Sequence, residues 1–370
     1  MGEGAPVSVL IDISHPAHVH FFRPLARALI AAGAPVTIVG RDKDVTVRLL
    51  EASGLPHLVL PMGRYSKGRC AAAGELIRRS RELRRLIRQH SVKVVLTRNP
   101  SGVIAAFGTR ATSVFDTDDG RSVGIHYWAA RPFANIITSS AFDPEVHGRG
   151  HRRYRALKAH MFLHPDRFTP DPEVRRRYLT DDEQFCVARF SAHDASHDRR
   201  IVGITAAGRR AILERLLRFG PVLVSVEGND LRLCRDDGEV IPVAPEDFHD
   251  LLAAASLFVG DSQSVAAEAA ILGVPALRLS GFTGRVFYLS LLEESELVRN
   301  FRPGCESQLL AELDDTLAGL ALRTEASRRA AERLNLNVQD PAAWFYRLVL
   351  DRLGLGPHVE GPLADSERGK

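Results

Sequence analysis

Two short polar stretches hold most of the residues able to do chemistry. The first is Gly260-Asp261-Ser262-Gln263-Ser264-Val265-Ala266-Ala267-Glu268, which follows the apolar run Leu257-Phe258-Val259 and continues to Leu272-Gly273-Val274-Pro275. It reads as strand, polar loop, helix, strand. Alanine-rich helix formers fill residues 264–272, Gly273 stands at the expected C-cap, and Pro275 blocks continuation. Ser262, Gln263 and Ser264 therefore crowd a helix N-terminus, where unpaired N–H groups and the positive end of the helix dipole favour an anion. Glu268 lies one turn or more further in, roughly 6–9 Å along the axis. One ligand could rest a diphosphate on the tip and a ribose or sugar hydroxyl on this carboxylate. The same residues also read as an ordinary N-cap with a surface glutamate.

The second stretch is Asp12-Ile13-Ser14-His15-Pro16-Ala17-His18-Val19-His20. It reads as a loop after a buried strand. Imidazole titrates near neutral pH, so His18 and His20 are candidates for a catalytic base, with His15 as a substrate contact. Asp12 either orients one of them or caps the turn. Arg189 and Arg285 are candidate cations for phosphate, and Asp116, Asp119 and His193 are candidate sugar contacts. A metal reading uses His18 and His20 with His193 and His197 as ligands. It is set aside because a barrel hydrolase needs about eight repeated units, so neither metal nor cofactor is expected.

Positioning these stretches requires an alternation of strands and helices. Strands are expected at 8–13, 36–39, 58–60, 92–96, 112–115 and 135–138, with helices at 23–32, 45–53, 75–88 and 102–108 between them. Apolar strands alternating with helices mean a parallel sheet covered on both faces. His164-Pro165-Asp166-Arg167-Phe168-Thr169-Pro170-Asp171-Pro172 then breaks the pattern as a linker. The alternation restarts with strands at 185–188, 222–226, 240–243 and 257–259 and helices at 211–219, 248–255, 264–272, 309–334 and 342–353. The expected organisation is an α/β fold of two Rossmann-like doubly wound domains facing across a cleft. They span 1–163 and 173–354, joined by the linker 164–172, with a loose tail over 355–370. In such sheets ligands bind beyond the carboxyl ends of the strands, where both polar stretches fall.

Composition narrows the class. At 370 residues, 45% hydrophobic and 25% charged, the chain reads as a soluble protein of more than one domain. A net charge of +4 is too small for this length to suggest nucleic-acid binding. No apolar run approaches a membrane span, and no secretory signal is read at the start. The four cysteines lack C-x-x-C spacing, as expected of reduced thiols in the cytoplasm. Residues 75–88 form a basic amphipathic helix, with Leu76, Ile77, Leu83, Leu86 and Ile87 at helical spacing. It reads either as a solvated crossover helix or as a peripheral contact with the inner membrane face and a lipid acceptor. Neither a Gly-x-Gly-x-x-Gly after the first strand, nor a Walker loop, nor a Gly-x-Ser-x-Gly elbow is present.

Taken together, several motifs resemble an uncharacterised prokaryotic family, domain of unknown function three-five-four. They are residues 12–25, Phe115-Asp116-Thr117-Asp118-Asp119, His164-Pro165-Asp166-Arg167-Phe168, residues 189–198, and residues 260–275 continued by Phe282-Thr283-Gly284-Arg285. The resemblance covers roughly residues 7–345. One motif departs from the family pattern, Asp-Asp-Thr-Glu-His: here it is Asp116-Thr117-Asp118-Asp119-Gly120, without the histidine. The family is in turn similar to GT-B glycosyltransferases and UDP-N-acetylglucosamine 2-epimerases, which implies two Rossmann-like domains with a nucleotide-sugar on the second.

For glycosyl transfer, that resemblance implies a metal-independent enzyme. Amides around Ser262, Gln263 and Ser264, aided by Arg189 or Arg285, would stabilise the leaving diphosphate, and Glu268 would take the ribose. The leading expectation is a UDP-linked donor and a lipid-linked or glycan acceptor in surface glycan or polysaccharide biosynthesis. The alternatives are 2-epimerisation, which needs carboxylates near the sugar ring (Asp12, Asp116, Asp118 and Asp119 are the candidates), and a catalytically silent GT-B binding module.

Overall fold

The computed structural model describes residues 8–42, 45–61, 69–118, 125–144, 146, 148, 150–191, 203–226, 231–281, 283–284 and 286–354. Candidates Asp119, His193 and Arg285, together with His197 and the tail 355–370, lie outside the described residues.

The first lobe opens with β1 (Val9–Asp12), α1 (Pro16–Ala31), β2 (Val36–Arg41), α2 (Thr46–Ala52) and β3 (His57–Leu60). It continues through α3 (Arg69–Gln89), β4 (Val94–Thr97), α4 (Pro100–Ala106), β5 (Thr112–Asp116) and α5 (Ile125–Ala130). Strands β6 (Ile136–Ser140) and β7 (Arg152–Tyr154) and the short helix α6 (His160–Leu163) complete it. Its seven strands lie in the order β3-β2-β1-β4-β5-β6-β7, all parallel. The order reverses direction between β1 and β4, which opens a crevice at their carboxyl ends.

After the 164–172 passage come α7 (Pro172–Arg176), β8 (Cys186–Phe190), α8 (Ala206–Phe219), β9 (Val222–Val226), β10 (Arg232–Cys234) and β11 (Val240–Pro242). Next are α9 (Phe248–Ala254), β12 (Leu257–Gly260), α10 (Gln263–Ile271), β13 (Ala276–Leu279), α11 (Phe287–Glu294) and β14 (Val298–Phe301). Helices α12 (Glu306–Ala318), α13 (Leu320–Asn335) and α14 (Pro341–Leu353) follow. This second sheet runs β11-β10-β9-β8-β12-β13-β14, parallel except for β10, which is antiparallel to both neighbours. Its switch point lies between β8 and β12.

Three differences from the sequence expectation bear on the site. Helix α1 begins at Pro16 and carries Pro24 inside it, so His18 and His20 are helical rather than in a loop. His15 caps it, accepting the Ala17 N–H on Nδ1 at 3.2 Å, and Pro16 loses nothing at a first-turn position. The expected helix over 309–334 is two helices, broken at Gly319. Finally, α14 returns to the first lobe: Phe345 packs edge-on against Phe21 of α1 at 5.7 Å and against Tyr154 at 5.5 Å. Each such buried aromatic is worth about 1.5–3 kcal/mol. By packing, then, residues 341–353 belong to the first lobe and not to the expected 173–354 unit.

Candidate active site between the lobes

In the second lobe, the approach of β12 to β8 sets the geometry. A Cβ on Gly260 would stand 2.1 Å from the Arg189 carbonyl, so only glycine lets the strands close here. Buried Asp261 then accepts the Ser191 N–H at 2.6 Å and its hydroxyl at 2.9 Å, tying the loop after β12 to the end of β8. Ser262 is the N-cap of α10, its hydroxyl accepting the Val265 N–H at 3.4 Å. Gly273, at φ +76°, ends the helix as expected. Thus Gln263 and Ser264 present the first turn of α10 to the cleft, while the Ser262 hydroxyl is spent on the cap.

In the first lobe the two histidines part company. Residues two apart on a helix point about 200° away from each other. His18 lines the cleft; its Nδ1 lies 3.5 Å from the Ser14 N–H and 3.4 Å from the Ser14 hydroxyl. Contacts at this long limit are weak, and they orient the ring. Burial, then the charges of Arg98, His15 and Lys158, push its pKa well below 6.5, so the imidazole is neutral at pH 7. His20 instead packs between Phe162, at 5.5 Å, and His249 of the second lobe, at 4.7 Å. It does not line the cleft, and its proposed base role fails on that geometry.

Asp12 is also reassigned. Fully buried, it accepts from Arg79 at 2.6 Å, from Thr97 at 3.0 Å and from Ser101 at 3.2 Å. These bonds pin α3 and α4 to the end of β1, and none of them reaches a histidine. It is a scaffold group.

The acidic motif forms a buried network. Arg98, whose guanidinium also lies 4.6 Å above the Phe21 ring, donates to both Asp116 and Asp118. Asp116 also accepts from Thr138 at 2.9 Å. Burial outweighs Arg98 and raises the Asp116 carboxyl to about 6. Asp118 is opposed by burial too, but Lys158, at 2.6 Å, and Arg98 hold it well below the usual carboxylate range. Removing one partner from such a buried pair typically costs about 3–5 kcal/mol.

These walls enclose a cleft of about 310 Å³. His15, His18, Arg98 and Asp116 face it from one lobe, and Gln263, Ser264 and Tyr288 from the other. Asp118, Lys158, Ser264 and Tyr288 also line a smaller cavity of about 20 Å³, of which Glu268 is another lining residue. Arg189 is not among the described lining residues of either cavity; it donates to the Ser225 hydroxyl at the end of β9. Sequence reasoning missed Arg98, Asn99, Lys158, Tyr288 and His249. The polar Thr97-Arg98-Asn99 at the end of β4 occupies the same strand-end position as the two polar stretches, whereas Lys158 lies in an irregular segment with no pattern to find. Among the described residues no group of three or more His, Cys, Asp or Glu side chains is placed to hold a metal ion.

Neither a family model nor a curated protein sequence matches the chain. Solved structures do match in fold. The MnaA protein of S. aureus, solved with UDP, superposes at TM-score 0.66 with 12% identity, over 96% of this chain and 100% of that one. UDP-N-acetylglucosamine 2-epimerase from Neisseria meningitidis, solved with UDP-N-acetylglucosamine, gives 0.60 with 10% identity, over 95% and 100%. The SsfS6 glycosyltransferase of Streptomyces sp. SF2575 gives 0.60 with 14% identity, over 93% and 99%. At these identities the likeness is one of fold. The chain has the GT-B-like arrangement shared by glycosyltransferases and UDP-N-acetylglucosamine 2-epimerases.

Proposed function

We propose that this protein is a metal-independent glycosyltransferase of the domain of unknown function three-five-four type, using a UDP-linked sugar for a surface glycan. One observation carries the reading: the half-buried first turn of α10 and the neutral His18 share one cleft from opposite lobes. A donor diphosphate on the amides of Gln263 and Ser264 is stabilised as it leaves, by hydrogen bonds and the helix dipole. His18 then takes the proton of the acceptor hydroxyl. Glu268, which lines the adjoining small cavity together with Ser264, takes the ribose. The structures solved with UDP and with UDP-N-acetylglucosamine on the same fold support a uridine donor.

Epimerisation requires carboxylates free to act at the sugar ring. Asp119 lies outside the described residues; of the described candidates, Asp12 is bound to Arg79, Asp116 to Arg98, and Asp118 to Arg98 and Lys158. This favours transfer. A lipid-linked acceptor at the cytoplasmic face of a membrane is supported by α3, which leaves Ile77, Arg81, Arg85 and Arg88 exposed. Among the described residues no helix is long and apolar enough to cross a membrane. The test is incubation with UDP-N-acetylglucosamine alone. Inertness until a polyprenyl-phosphate-linked sugar is added supports transfer; the 2-epimer formed without acceptor overturns it.

A further inference from the structure

Behind the cleft, a cluster of side chains crosses the seam between the lobes. His249, on α9 of the second lobe, is buried and sets its Nε2 3.3 Å from the Glu268 carboxylate. The other neighbours of its ring belong largely to the first lobe. His20 of α1 stands edge-on at 4.7 Å and Phe162 of α6 at 5.1 Å, with Phe248 of its own helix at 5.4 Å. Aromatic packing on several sides leaves an imidazole little rotational freedom. The nitrogen that meets Glu268 is therefore held in place by both lobes.

Glu268 needs such a partner. It is buried on α10, one turn past Ser264, and lines the small cavity together with Ser264. A buried carboxylate without a donor is costly and would turn toward whatever polar group it could reach. One donor on one oxygen fixes the group and leaves its remaining lone pairs to accept from a ligand.

We infer that His249 is a positioning residue for nucleoside recognition: it holds the Glu268 carboxylate so that the free oxygen accepts from the ribose hydroxyls. This rests on the reading of Glu268 as the ribose-binding group. The consequence is selectivity for a ribose carrying both hydroxyls, set by a residue that does not touch the nucleotide. Packing on His20 further ties this selectivity to α1, the helix that carries His18.

The test compares the affinities of UDP and 2′,3′-dideoxy-UDP by calorimetry, in the wild type and three variants. Hydrogen bonds to a charged acceptor are strong enough for the wild type to prefer UDP by about 10-fold or more. His249→Phe keeps the aromatic packing but removes the donor, and should bring the ratio to within about threefold of one. His249→Gln keeps a donor at similar reach and should retain most of the preference, an effect that lost packing alone would not produce. Glu268→Ala separates the two levels of the argument. If it abolishes the preference while His249→Phe keeps it, the inference about His249 is wrong and the reading of Glu268 stands. If Glu268→Ala also keeps the preference, or wild type binds UDP and the dideoxy analogue equally, the reading of Glu268 fails and the inference with it.

Discussion

His18 and His20 differ by two positions, yet the fold gives them separate work. One faces the cleft, neutral because burial and nearby cations disfavour its charged form; the other is wedged between Phe162 and His249. His18→Ala should lower kcat by about 10²–10⁴-fold, the usual contribution of a general base, and leave UDP affinity within about twofold. His20→Ala should act on stability and UDP affinity, through the packing against His249, with kcat close to that of the wild type. Steady-state kinetics and calorimetry on both variants check this, and equal loss of kcat would contradict the division. At this scale the sequence was legible in residue type but not in direction. Three histidines within six residues marked the place, while which of them faces the cleft depended on α1 starting at Pro16.

Among the elements, the strand–helix unit of β12 and α10 was the most legible, because each boundary has a local cause: Gly260 for close strand approach, Ser262 for the cap, Gly273 for the stop. Helix α3 was legible in its amphipathic character and misleading in its face. Ile77 is exposed, whereas Arg79 turns inward because Asp12 waits at the end of β1. A long-range ion pair of this kind leaves no trace in local periodicity. The same limit hid the Arg98–Asp116–Asp118–Lys158 network, whose members come from separate parts of the chain. Arginines Arg78 and Arg84 are spent on Glu75 and Pro61, and on the carbonyls of Ile104 and Phe107. That leaves Arg81, Arg85 and Arg88 on the surface. Changing these three to Glu should abolish co-sedimentation with vesicles of anionic lipid at low salt, each cation being worth about 1 kcal/mol near such a surface. Unchanged sedimentation of the triple variant would remove α3 from any membrane role.

For the molecule as a whole, two sheets were readable from alternation alone, since a parallel sheet must be covered on both faces. The return of α14 onto α1 was not, because nothing in its own pattern names its partner. Packing also shields histidines from water. His18 and His20 are held well below 6.5, and His160, which bonds Asn335 of α13 at 3.0 Å, is lowered to about 4. As pH falls below 6.5 the unfolded chain takes up these protons before the folded protein does, so stability falls with pH, each group contributing a slope of up to about 1.4 kcal/mol per pH unit. Asp116, raised to about 6, acts with the opposite sign and offsets about one of the three. Urea midpoints should therefore drop between pH 6.5 and 5, and His160→Gln should make that drop shallower. A flat or rising midpoint would contradict the buried, neutral state of these rings.

A crystal of the protein soaked with UDP gives the most direct view of the central claim. Density should place the diphosphate within hydrogen-bond distance of the Gln263 and Ser264 amides, with its outer phosphate toward His18. A nucleotide found anywhere else, or a cleft that stays empty at millimolar UDP, would contradict it.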